Sequence, residues 1–241
     1  LNPSSAASDV YKRQILKSRR HQKTQSDFIN LTTHELKLPL SNIQLLIETI
    51  QTRTLTPAKH NEFVDLIGKE SQGLHTLVEH LLQARKMDGG PLKMQTKETD
   101  MDSYLEEFAS EWQGKLELQI DTRPVLEIDP YYFDILLSNL VRNAQAYAPS
   151  SPPKLHLYKQ SKAVILDCID QGSGIPQSEY KKIFKRFYRA RSHQKQYRKG
   201  TGLGLYIANK ITQSHKGQIS ALHQSKGFTI RLQFYQKTNH V

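Results

Sequence analysis

The sequence predicts an α+β chain in two parts: a helical hairpin forming a dimeric four-helix bundle, followed by an α/β sandwich. Three observations predict this. A seven-residue apolar repeat runs through residues 24–54, and a second helical stripe follows Thr56-Pro57. A breaker, Asp88-Gly89-Gly90-Pro91, then ends that texture. Beyond it, strand-like and helical segments mix without strict alternation, as expected for helices laid on one face of a sheet. The boundaries expected are a non-native or disordered segment at 1–14, the hairpin at 15–88 and the sandwich at 92–237.

In the first helix Ile29, Leu36, Ile43 and Ile50 recur every seven residues, with Leu46 on the same seam and Leu40 and Ile47 widening it. Pro39 is expected to bend this helix. Thr56-Pro57 reads as a helix start, a cap followed by proline in the first turn. Phe63, Ile67, Leu74, Leu77 and Leu81 then carry the second stripe to about Met87. Two antiparallel helices cannot enclose a core alone, so the hairpin calls for a second copy. After the breaker, strands are expected at 92–96, 117–120, 125–128, 154–160, 163–169, 218–222 and 228–234. Helices are expected at 103–113, 130–147 and 202–215.

The 241 residues suffice for two modest domains, and the longest apolar runs are far too short to cross a membrane. A single cysteine, Cys168, excludes an internal disulfide and a cysteine-cluster metal site. The net charge of +11 is concentrated: Lys12 to Lys23 holds six Lys or Arg, and Lys181 to Lys199 holds nine, neither with an acid. No nucleic-acid recognition motif accompanies this charge, and no nucleic-acid partner is expected. Residues 4–14 resemble translated adaptor sequence and are set aside from fold reasoning. The run Lys17 to Lys23 suits the cytoplasmic edge of a membrane helix, so the full-length protein is expected to be anchored through a missing N-terminal part.

Four segments carry chemistry. In Phe28 to Leu40 the helical angle sets His34 about 140–160° from Ile29 and Leu36, facing solvent, where an imidazole can receive a large group. The adjacent Glu35 can accept its ring proton. In Leu136 to Ala144, Asn139 and Asn143 are four apart on one helix face, amide oxygens of the kind a hard cation prefers. Asp170-Gln171-Gly172-Ser173-Gly174 follows a strand: a carboxylate that can accept from an exocyclic amine, and glycines that permit close approach. Gly200-Thr201-Gly202-Leu203-Gly204 opens a helix, where backbone N–H groups suit phosphate. It lacks the dinucleotide-fingerprint spacing and the P-loop lysine. Each segment alone also has an ordinary structural explanation: a solvated histidine, a polar helix face, a capped turn, a loop.

Together, in this order, the four resemble the sensor histidine kinase family over about residues 20–236, as its phospho-acceptor, asparagine and two glycine boxes. Ile183 to Arg189 resembles the phenylalanine box between the glycine boxes. The resemblance implies a helical dimerisation and phospho-transfer domain, then an ATP-binding sandwich of the type shared with gyrase and heat-shock chaperones. By position it implies His34 as phospho-acceptor and Glu35 as its base. It implies Asn143 as principal Mg²⁺ ligand with Asn139 beside it, and Asp170 reading adenine. It places Gly172 and Gly174 at the base and Gly200, Gly202 and Gly204 at the phosphates, with Tyr147, Thr201 and Leu203 also among the cofactor-binding residues. Arg189 falls in a lid running from Tyr188 to Lys199. ATP and Mg²⁺ are the implied cofactors. The implied partners are a response regulator receiver domain and a second copy of the chain, in the cytoplasmic part of an inner-membrane protein.

Asn139 stands where hydrolysing relatives carry a water-activating Glu, which favours transfer to His34 over water. Lys37 keeps to the family pattern. Leu38 and Ala146 depart from it. Leu38 replaces a polar residue that helps position water for dephosphorylating the regulator, so weak phosphatase activity is expected. Ala146 replaces a Lys near the phosphates, which lowers ATP affinity or shifts that load to the lid.

Overall fold

The computed structural model describes residues 32–90, 92–190, 201–223 and 227–235. The segment 1–14, the basic run Lys17 to Lys23, residues 24–31 with Ile29, where the first helix is expected to begin, and residues 191–200, which hold most of the expected lid and Gly200, lie outside the described residues. The chain forms two compact units that divide between Glu79 and His80.

The first unit contains α1, residues 32–52, and most of α2, Pro57–Asp88. Helix α1 runs on through Pro39 without interruption. Thr56 caps α2, its hydroxyl accepting from Lys59 N at 3.4 Å, ahead of proline in the first turn. Leu36, Ile43, Leu46 and Ile50 are half-buried. Leu40 and Ile47 of the same stripe stay 50% and 41% exposed, as do Leu45, Val64, Val78 and Leu82 on other faces. The hairpin therefore leaves much of its apolar surface uncovered within one chain.

The second unit takes the last turns of α2 and continues through β1 (Lys97–Asp100), α3 (Met101–Ser110), β2 (Glu117–Ile120), β3 (Val125–Ile128) and α4 (Pro130–Tyr147). It closes with β4 (Lys154–Gln160), β5 (Ala163–Asp170), α5 (Gly204–Ser214), β6 (Gln218–His223) and β7 (Phe228–Tyr235). Five strands form one mixed sheet in the order β2-β4-β5-β7-β6, with β2 parallel to β4 and the other pairs antiparallel. β1 and β3 form a separate two-stranded ribbon.

Register places Leu155 opposite Cys168 and Cys168 opposite Ile230, so these side chains share one sheet face with Leu157, Leu166 and Leu232. That face packs against Leu105 of α3, Phe133, Leu136, Leu137 and Leu140 of α4, and Ile207 and Ile211 of α5. Truncating one of these to Ala would cost about 2–5 kcal/mol. The opposite face carries Arg231, which donates to both oxygens of Asp167 and to the Tyr158 hydroxyl.

Three expectations about element ends are corrected. The first strand lies at Lys97–Asp100 rather than 92–96, because Gln95 N donates to the Asp129 carboxylate at 2.6 Å and not to a strand ladder. Helix α3 ends at Ser110, because Gln113 and Gly114 take left-handed φ values of 49° and 76°. Helix α5 starts at Gly204 and not Gly202, whose φ of 66° no right-handed helix accepts.

Candidate active site

Each of the two units carries its own group of chemically able residues. In the first, His34 and Leu38 are exposed on α1, Leu38 by 52%, and Glu35 is half-buried beside His34. The helical angle accounts for this: the apolar seam turns inward and leaves the imidazole in solvent.

In the second unit the site is assembled on α4. Asp129 caps that helix, its carboxylate accepting from Tyr132 N at 3.3 Å, and Pro130 follows in the first turn. Asn139, Asn143 and Tyr147 then fall on one stripe at four-residue intervals. Asn139 is buried, and its Nδ2 donates to the Ile135 carbonyl at 2.8 Å. This leaves Oδ1 facing the start of α5, where a Cβ on Gly204 would come within 2.9 Å of it. Asn143 is half-buried and Ala146 is exposed.

Strand β5 delivers Asp170 to the end of this stripe, 6% exposed. Its Oδ1 accepts from Gly172 N at 2.7 Å, and no described residue partners its Oδ2. Burial pushes the carboxyl up from its ordinary range, and the Gly172 N–H acts in the opposite direction. A side chain at Gly172 would stand 2.8 Å from Asp170 Oδ1 and 3.0 Å from the Tyr147 carbonyl, so glycine keeps this corner open. Gly174 needs glycine for its φ of 66°.

The glycine turn ahead of α5 is set by its neighbours. Gly202 accepts from Phe187 N at 2.9 Å, and a Cβ there would lie 2.7 Å from the Phe187 carbonyl carbon. Phe187 itself takes a left-handed φ of 60°. The Thr201 hydroxyl accepts from Leu203 N at 3.2 Å, and Leu203 is fully buried. Arg189 is half-buried, and Gly200 lies outside the described residues.

The fold thus brings Asp170, Gly172 and Tyr147 together at one end of the α4 stripe, and Asn139 against Gly204 farther along it. The donor set fits a hard cation only in part. Amide oxygens are suitable ligands, yet no cluster of three acidic or histidine side chains occurs among the described residues. A cation here would take most of its oxygens from a phosphate-bearing ligand.

Sequence reasoning passed over three residues. Gly227 precedes β7, where any Cβ would collide with the Asp170 carbonyl; its place just before a strand was the available signal. His215 accepts from Asp129 N at 3.0 Å through Nε2, tying the end of α5 to the start of α4. Asp88 looked like part of a helix breaker but binds two side chains. Nothing in the local sequence signals either of these two pairings.

Comparison with known proteins adds an independent line. Residues 24–90 match the His Kinase A (phospho-acceptor) domain, and residues 129–238 match the histidine kinase-, DNA gyrase B-, and HSP90-like ATPase family. The signal transduction histidine-protein kinase AfsQ2 of Streptomyces coelicolor is 28% identical over 95% of this chain and 45% of its own length. The sensor histidine kinase YclK of Bacillus subtilis is 27% identical over 88% of this chain and 47% of its own. The chain therefore spans about half the length of the curated relatives it matches. In fold it is similar to the Acinetobacter baumannii histidine kinase AdeS, with a TM-score of 0.67 and 22% identity over 85% of this chain and 98% of that one. It is also similar to the histidine kinase ThkA, solved in complex with the response regulator TrrA, with a TM-score of 0.71 and 20% identity over 97% of this chain and 68% of that one. With a phospho-acceptor domain followed by this ATPase domain, the chain belongs to the two-component sensor histidine kinases.

Proposed function

We propose that this chain phosphorylates its own His34 from Mg-ATP and passes the phosphoryl group to an Asp of a response regulator receiver domain. The observation that carries the reading is the Asp170 corner: a buried carboxylate held by Gly172 N, with one oxygen left for a ligand, at the end of the α4 asparagine stripe. Asp170 Oδ2 accepts from the exocyclic amine of adenine, and Tyr147, Gly172 and Gly174 shape the base site. Thr201, Gly202, Leu203 and Gly204 bring backbone and a helix start to the phosphates, and Arg189 adds positive charge. Asn143, with Asn139 beside it, would hold Mg²⁺, which supplies charge neutralisation at the phosphates.

Glu35 takes the ring proton of His34. The ring nitrogen that stays unprotonated attacks the γ-phosphorus, an N–P bond forms, and the bond to the bridging oxygen breaks to release ADP. Asn139 cannot activate water as a Glu would, which directs the group to His34. The uncovered apolar faces of α1 and α2 support a homodimer. Leu38 offers no hydrogen bond beside His34, which supports weak phosphatase activity toward the regulator. The basic run Lys17 to Lys23 supports a place next to an anionic cytoplasmic membrane surface. No described helix is long and apolar enough to cross a membrane.

The test is incubation of the chain and its His34→Gln variant with Mg²⁺ and γ-labelled ATP. Acid-labile, base-stable label on the wild type alone is the expected result. Equal labelling of both, or none on either, would overturn the assignment.

A further inference from the structure

The last residue of α2 uses both of its carboxylate oxygens. Asp88 Oδ2 accepts from Arg186 at 2.5 Å, and Oδ1 accepts from the Tyr206 hydroxyl at 2.5 Å. The Arg186 side chain is 20% exposed and that of Asp88 38%, so the pair lies at the surface, and what fixes it is that two donors from different segments converge on one carboxylate. Both donors adjoin the glycine turn. Arg186 immediately precedes Phe187, whose N–H donates to the Gly202 carbonyl, and Tyr206 lies in the first turn of α5, two residues after Gly204. Asp88 therefore joins the two segments that flank this turn to the end of a helix.

That end is already packed into the second unit. Ala84 is fully buried, Met87 is 5% exposed, and both belong to the core that includes Phe133 and Ile207. The chain passes between its two units once, and it does so inside the continuous helix α2. Any looseness where α2 joins the second unit is looseness between that unit and the helix leading back to the His34 unit. Transfer between groups carried on separate units falls steeply when their approach is less well defined.

We propose that Asp88 is a positioning residue for phosphoryl transfer, clamping the end of α2 to Arg186 and Tyr206 on either side of the Gly202–Gly204 turn. The clamp does not touch the nucleotide; it limits how freely the nucleotide-bearing unit moves on α2. This rests on the kinase reading above.

The experiment measures initial rates of His34 labelling against ATP concentration for the full chain and for Asp88→Asn, Asp88→Glu and Tyr206→Phe. Nucleotide affinity is measured in parallel with a fluorescent ATP analogue, which also reports a folded site. Expected is a fall in maximal rate of about tenfold for Asp88→Asn and less for Tyr206→Phe, with the KM for ATP and the analogue affinity within about twofold of wild type. Asp88→Glu should recover part of the rate. Unchanged rates in both Asp88→Asn and Tyr206→Phe overturn the clamp while leaving the kinase reading intact. So does a rate loss matched by loss of analogue binding, which would mark a merely structural residue. Absence of label on the wild type overturns both.

Discussion

On the proposed reading, Leu38 limits the chemistry open beside His34. It is 52% exposed on α1, one helical turn beyond His34, where a hydroxyl or amide could hold a water for in-line attack on a phosphorylated Asp. An isobutyl group holds none. A regulator phosphorylated by this chain and repurified should keep its phosphate equally long with and without the chain, whereas Leu38→Thr should speed the loss severalfold. Gly202 is the counterpart in the second unit. Its φ of 66° and the backbone of Phe187 at 2.7 Å leave no room for a methyl group, so Gly202→Ala should cost about 1–3 kcal/mol of unfolding free energy, read in urea. The residues of the two sites were legible in the sequence to different degrees. His34, Asp170 and the glycines stand in short segments whose order marks a family. The Phe187 backing of Gly202 was not legible, because it joins residues fifteen apart in sequence through backbone shape alone.

At the scale of elements, α4 is placed by its two ends, and His215 governs one of them. Its Nδ1 donates to the Ile211 carbonyl at 2.8 Å while its Nε2 accepts from Asp129 N at 3.0 Å, an arrangement open only to the neutral ring. Phe133 packs edge-on against the ring, and the Asp129 carboxylate is the charged group that acts on it. Burial lowers the His215 pKa below its ordinary 6.5, against the opposing pull of Ile211 and Asp129. A lowered folded-state pKa means the unfolded chain takes up the proton first as pH falls. The contribution of His215 to stability is therefore complete above about pH 6.5 and declines as pH drops toward the folded-state value. His215→Gln should lose about 1–2 kcal/mol at pH 7.5, with a smaller difference from wild type at pH 5.5, measured by urea unfolding at both. A gap that stays constant with pH would rule out this role. The strands β2 to β7 were readable from apolar runs bounded by turn residues. Strand β1 was misplaced because the Asp129 carboxylate, thirty-four residues away, takes the Gln95 N–H.

At the scale of the whole molecule, the seven-residue repeat carries information that a single chain does not use. Leu36, Ile43, Leu46 and Ile50 are half-buried within the hairpin, yet Leu40 and Ile47, spaced by the same interval, remain 50% and 41% exposed. A stripe wider than one helical partner can cover has to meet a second surface, and a copy of the same hairpin offers a self-complementary one. Burying two such side chains per subunit, at about 25 cal/mol per Å² of apolar surface, is a sizeable part of what holds a bundle together. The purified chain should therefore scatter light as a dimer at micromolar concentration. Ile47→Lys sets an ammonium in that seam and should shift the scattering mass to the monomer, while the second unit, with its own core, keeps its nucleotide affinity. Dimer mass retained in Ile47→Lys would place the interface on another face of the hairpin. Loss of nucleotide affinity along with the dimer would mean that the second unit depends on pairing, contrary to the separate core built around Phe133, Leu136 and Leu232.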